Sequence, residues 1–281
     1  MLKQRVITAV LLLLVLLPAL FHTEPSPFNF LALLFMAAAA WEWARLNGYA
    51  LAASYLAGGL CALMCAGLWW GGLLGRALPQ LWLLTGAAWV LLGGWILRAG
   101  VPVWGQLNRS VRLVVGLVAL VLTWLAVAQA RLIGTNFLLS VFSLVWAADI
   151  GAYFAGRTWG GRLVARKLAV SISPGKSWEG VLGGMLAVVV LALIWTRVDR
   201  WTQPVVPSFY SHLAERGSVF TLIACLFLAA MSVVGDLIES LVKRSAGVKD
   251  SSSLLPGHGG VLDRVDALLP SLPLAMMLYS M

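Results

Sequence analysis

Asp236, Glu239, Ser240 and Lys243 recur at i, i+3, i+4 and i+7. On a helix that spacing gathers two acids, a hydroxyl and an ammonium along one face. They lie in or near the end of an apolar run, where a carboxylate is costly unless it faces a cavity, a metal or a cation. The group is suited to holding phosphate and a divalent ion; an internal ion pair that locks helices together would explain the spacing equally well. Asp149, in another apolar run, shares a helix face with Tyr153 and Gly156. It reads either as part of a site or as a lone Asp bonded to a neighbouring helix.

The segment that follows is the richest in the chain. Lys243-Arg244, Lys249-Asp250 and Ser251-Ser252-Ser253 precede Pro256-Gly257-His258-Gly259-Gly260, and Asp263-Arg264-Val265-Asp266 closes the run. Glycines at 257, 259 and 260 let a backbone approach a ligand closely. Carboxylates with several cations and a glycine-rich turn suit Mg²⁺ and phosphate together, because Mg²⁺ typically uses one or two carboxylates plus phosphate oxygens and waters. Asp263 and Asp266 would also serve as N-terminal partners of a helix dipole. His258 reads as a hydrogen-bonder or a catalyst.

A second polar segment is Ser171–Gly180. Pro174 and Gly175 force a turn that presents Ser173, Lys176 and Ser177, a set of hydroxyls and one point charge suited to phosphate. The Gly-Lys-Ser run lacks the upstream glycine of a P-loop, and an ordinary loop capping the next helix has the same composition.

The rest of the chain must position these residues. Hydrophobic residues make up 61% and charged residues 11% of 281 positions, against about 25% charged in an average soluble domain. So few charges cannot cover a soluble fold. Nine apolar runs suffice to cross a bilayer: Val6–Phe21, Phe28–Trp43, Leu51–Leu74, Leu81–Leu97, Val111–Ala130, Leu132–Phe154, Val181–Trp195, Val219–Val242 and Leu262–Tyr279. The expected fold is an all-α polytopic membrane protein of about nine transmembrane helices. Lys3 and Arg5 before Val6–Leu17 resemble a secretory signal, but no small-x-small cleavage site follows, so this run is read as a retained first span. Placing the N-terminus in the cytoplasm puts fifteen of the 20 Lys and Arg, Arg166 among them, on the cytoplasmic side, as the positive-inside rule requires. Both polar segments then share the cytoplasmic face.

Seven of the 11 acidic residues lie at Asp149 or beyond in this region, whereas only Glu24 and Glu42 precede Asp149. This divides the chain into N-terminal helices over 1–76, middle helices over 77–136 and a catalytic region over 137–281. The net charge of +9 is read as orientation and attraction to anionic head groups, and no nucleic-acid partner is expected because no basic stripe carries interleaved aromatics. Cys61, Cys65 and Cys225 all sit in apolar runs and read as small buried side chains.

The run from Ser240 through Val242-Lys243-Arg244, Lys249-Asp250, Ser252, Leu255-Pro256, His258-Gly259-Gly260-Val261 and Asp263-Arg264-Val265-Asp266 resembles the hallmark of the phosphatidate cytidylyltransferases, also called CDP-diacylglycerol synthases. Asp149–Arg157 and Ser173–Gly180 are similar to the family as well, with Ser177 for the usual Thr and Val170 where a Pro is common. The resemblance implies that CTP and phosphatidic acid react to give CDP-diacylglycerol and pyrophosphate. It also implies Mg²⁺, with Mn²⁺ as an alternative and room for a second, monovalent cation, a homodimer, and carboxylates near the metal at Asp236 and Asp263. The site residues it marks are Asp236, Lys243, Arg244, Lys249, Asp250, His258, Asp263 and Asp266 for catalysis, and Ser173, Lys176, Ser177, Ser240, Gly259, Gly260 and Arg264 for substrate. With a lipid and a cytosolic nucleotide as substrates, the expected location is the bacterial inner membrane, with the site facing the cytoplasm. An ion-coupled transporter using Asp149, Asp236 and Glu239 as a relay is the rival of a different class; it has no need of a Gly-His-Gly-Gly loop.

Overall fold

The computed structural model describes residues 2–164 and 167–281 of the chain. Arg166 and the side chain of Lys3, both counted among the expected cytoplasmic cations, lie outside what is described.

Among the described residues eleven α-helices follow one another: α1 (Leu2–Phe21), α2 (Ser26–Leu46), α3 (Leu51–Trp70), α4 (Pro79–Gln106), α5 (Arg109–Ile133), α6 (Thr135–Trp159), α7 (Trp178–Thr202), α8 (Phe209–Ala214), α9 (Ser218–Ser245), α10 (Leu262–Val265) and α11 (Leu268–Ser280). Among the described residues, eight helices are long and apolar enough to cross a membrane: α1 to α7 and α9. The chain is thus an all-α integral membrane protein. The ninth apolar run is broken between Asp266 and Ala267 into α10 and α11. With 13 residues, α11 spans about 20 Å and packs inside the bundle against α4, α5 and α9.

Local sequence explains the breaks. Asn108 caps α5 by accepting the Ser110 N–H at 2.8 Å, and Ser177 caps α7 by accepting the Gly180 N–H at 3.1 Å. Inside α4, Gly100 adopts φ 78° just before Pro102, so the last turns of this helix leave the axis of the first. The α6–α7 pair closes on small residues: a Cβ at Gly184 would lie 2.6 Å from the Ala148 carbonyl oxygen. Close backbone approach of this kind is how helices associate in lipid. Far from the polar loops, Asp199 ties α6, α7 and α8 together by accepting from Asn136, the Ser208 N–H and Ser211.

One end of the bundle gathers most of the polar chemistry. Thr8 of α1 donates to the Pro256 carbonyl at 2.9 Å. Glu42, near the end of α2, bonds to the segment between α9 and α10. Gly105 of α4 approaches Ser245 of α9. Arg244, also at the end of α9, reaches the Ile172 carbonyl before α7. The start of α1 therefore lies on the same side as both polar loops, as the span count requires.

Candidate active site

Three groups of side chains make up the polar end. The first lines a cavity of about 400 Å³ between α6, α7 and α9. Asp149, Tyr153 and Gly156 of α6 face it together, as their shared helix face foretells, with Lys176 and Ser177 opposite and Asp236 at its base. Lys176 Nζ lies 2.5 Å from Asp236 Oδ2, so the turn at Pro174-Gly175 is joined to α9 by an ion pair. Ser240 donates to Asp236 Oδ1 at 3.3 Å, and Arg157 donates to the Tyr153 hydroxyl at 2.7 Å. Ser173 holds the turn through its backbone, accepting the Lys176 N–H, and its side chain is not among those that line the cavity.

The second group lines a cavity of about 550 Å³ formed by the last loop: Lys249, Asp250, Ser252, His258, Gly259 and Arg264, with Arg5 of α1 added. Lys249 makes no ion pair among the described residues. His258 Nδ1 is buried and has no partner; such atoms are rare in folded chains and call for a ligand or water. Arg264 is turned back onto the His258 carbonyl, which accepts from Nε at 3.1 Å. Gly259 needs its φ of 87°, and a Cβ there would sit 2.8 Å from Asp263 Oδ2.

Between these cavities stands a buried charge chain. Lys243 Nζ is 2.5 Å from Glu239 Oε2 and 2.6 Å from Asp263 Oδ1. Asp263 Oδ2 accepts three more donors: the Ser251 N–H and hydroxyl and the Gly260 N–H. Burial pushes this carboxyl up, but the bonds from Lys243, Gly260 and Ser251 outweigh it and hold the group at about 2. At Asp266, burial first and the Asp236 charge second push the carboxyl well above the usual carboxylate range. Asp236 and Glu239, expected on one face, in fact diverge. Asp236 looks into the first cavity, whereas Glu239 borders an apolar cleft on the other side of α9. The 60° between i and i+3 on a helix is enough to separate them.

Among the described residues, no three His, Cys, Asp or Glu side chains converge into a ready-made metal cage. The donor set still fits Mg²⁺, which shares itself between one or two carboxylates and phosphate. Asp236 lines the cavity beside Asp149, its oxygens held by Lys176 and Ser240, and would reach a cation by exchanging Lys176. Asp263 has both oxygens filled and would reach a cation only by exchanging Lys243.

Glu42 and Arg5 belong to this site and were missed in the sequence. Glu42 is fully buried. Its Oε1 accepts the Ser252 hydroxyl at 2.5 Å and the Val261 N–H at 3.0 Å; its Oε2 accepts the Leu262 N–H at 2.6 Å and shares the single Ser251 hydroxyl proton, at 3.2 Å, with Asp263. Three full donors and one shared one take up the roughly four lone-pair positions of a carboxylate. A signal existed: a single acid near the end of an otherwise apolar span is costly unless it has partners.

A profile of the cytidylyltransferase family matches residues 3–281, and the chain belongs to that family. It is similar to a phosphatidate cytidylyltransferase of Pseudomonas aeruginosa, with 38% identity over 97% of this chain and 95% of the relative. It is also similar to the phosphatidate cytidylyltransferase of Haemophilus influenzae, 48% identical over 52% of this chain and 46% of the relative, and to that of Bacillus subtilis, 36% identical over 53% and 49%.

Proposed function

We propose that the chain is a phosphatidate cytidylyltransferase, converting CTP and phosphatidic acid to CDP-diacylglycerol and pyrophosphate in phospholipid biosynthesis. The observation that carries this reading is the pair of polar cavities flanking the Lys243–Asp263 contact, both at one end of a bundle of apolar helices. One oxygen of the lipid phosphate attacks the CTP α-phosphorus; that bond forms as the bond to the β-phosphate oxygen breaks, and pyrophosphate leaves. A phosphate monoester has a second pKa of roughly 6, so the nucleophile needs no strong base. The obstacle is repulsion, about 4 kcal/mol for two unit charges 4 Å apart at an effective dielectric of 20. Lys176, Lys243, Lys249, Arg264 and Arg5 offset it.

Mg²⁺ or Mn²⁺ would supply charge neutralisation and polarise a phosphoryl oxygen; Asp236, with Asp149 beside it, would hold it after exchange of Lys176, and Asp263 after exchange of Lys243. A second, monovalent cation would draw on the same carboxylates. His258 donates to phosphate and is not a base. Replacing it with Ala should raise the KM for CTP about tenfold, the worth of a charge-assisted hydrogen bond, with the pH profile of kcat unmoved. Full activity with only a shifted profile would reverse that role. The enzyme works as a homodimer in a bacterial inner membrane with the site toward the cytoplasm, and it binds no nucleic acid.

Pyrophosphate release by the protein in detergent tests the reading. Release should require both CTP and phosphatidic acid and stop when EDTA removes divalent ions. Asp236→Asn should raise the Mg²⁺ needed for half-activity about tenfold. Equal release with a polyprenol in place of phosphatidic acid, or none with either, would overturn it.

A further inference from the structure

Helices α4 and α5 are neighbours in sequence yet stand apart. α4 packs against α9 and α11, and α5 against α2, α6 and α11. The cleft between them has a volume of about 430 Å³. Leu84, Ala88 and Leu92 form one wall, Val115 and Ala119 the other, and Ile238 of α9 the floor. Leu84 and Leu92 are among the exposed apolar side chains, so the cleft opens toward lipid. On α4 it runs from Leu81 to Ile96, about 23 Å at 1.5 Å per residue, which is about one and a half times the depth of one leaflet of a roughly 30 Å hydrocarbon core.

Two features say what belongs there. The cleft ends at Glu239, whose carboxylate holds Lys243, which holds Asp263; the apolar track therefore stops one buried ion pair short of the polar site. Near that end is Trp104, on the turns that Gly100 redirects. Its side chain borders the cleft, only 3% of it is exposed, and its indole Nε1 has no partner. Buried donors are normally paired, and an ester or glycerol oxygen at this depth would pair this one.

We propose that the α4–α5 cleft seats one acyl chain of the phosphatidic acid substrate, with the Trp104 indole donating to its ester region and the phosphate lying toward Lys243. The proposal rests on the function given above and assigns the lipid end of the same site.

Ala88→Trp and Ala119→Trp fill the cleft without touching the polar residues. Displacing two methylenes corresponds to about a tenfold rise in KM. That rise is expected for dioleoyl phosphatidic acid, with little change for the dihexanoyl lipid or for CTP. Trp104→Phe, which keeps the ring and removes the donor, should raise KM for both lipids about fivefold. A diazirine on the acyl chain of phosphatidic acid should label α4 and α5 of the wild-type protein, and unlabelled phosphatidic acid but not phosphatidylcholine should suppress it. Equal losses with both chain lengths, or labelling that phosphatidylcholine suppresses as well, would overturn the proposal. So would an Ala119→Trp variant whose only change is loss of self-association, since a second copy would then fill the cleft. Wild type that turns over neither lipid while specific labelling persists would refute the enzymatic reading and leave the lipid seat standing.

Discussion

Glu42→Ala should lower kcat about 100-fold while the protein still inserts and purifies. The residue touches no substrate in the proposed reaction. It accepts two hydroxyls and two backbone N–H groups from the last loop. Without it, Val261 and Leu262 present unpaired buried N–H groups, each costing about 1–3 kcal/mol, and the loop would shift to hydrate them. The shift moves His258 and Asp263 with it. A misplacement of about 1 Å near reacting groups can cost 100-fold. Glu42→Gln keeps one acceptor oxygen and should lose about tenfold. Steady-state kcat and KM in detergent, with a thermal melt alongside, decide the matter. A Glu42→Ala enzyme with wild-type kcat would show that the loop holds its shape unaided.

The second large effect concerns stability. Lys243 is half of two ion pairs, with partners Glu239 and Asp263 whose side chains are 2% and 8% exposed. Removing one member of a buried pair leaves an uncompensated charge and typically costs about 3–5 kcal/mol. Lys243→Met should therefore lower the unfolding midpoint sharply as well as abolish turnover. The double variant Lys243→Met/Glu239→Gln removes the stranded carboxylate and should recover at least half of the lost stability, with no recovery of activity. If the double variant is no more stable than the single one, the Glu239 contact is not what Lys243 compensates.

Much of this was legible in the sequence because membrane folds leave strong traces. Apolar runs of bilayer length have one structural solution, a helix, and the eight that qualify correspond to the first eight runs. The ninth was harder to read. Leu262–Tyr279 is apolar enough to span, but the break at Asp266–Ala267 is a backbone event that hydropathy does not register. The clustering of Lys176 with Asp236 was foreshadowed by two polar loops on one face, and the face shared by Asp149, Tyr153 and Gly156 held. What spacing could not resolve was direction at fine angle: Asp236 and Glu239 are three residues apart and enter different cavities. Nor could local patterns find Glu42, whose partners lie 209 to 220 residues away in the chain. Composition alone hinted at it.

That separation has a consequence for how the protein is made. During synthesis, α2 enters the bilayer long before its partners exist. At roughly 5–20 residues per second, the Glu42 carboxylate waits about 10–40 s for Ser251 to emerge. Until then nothing organises the last loop, since the loop has not been made; afterwards one residue from the earliest part of the chain fixes the shape of the latest. A ribosome-bound or prematurely terminated chain therefore carries helices but no working loop. Turnover therefore waits until α2 and the loop between α9 and α10 have met.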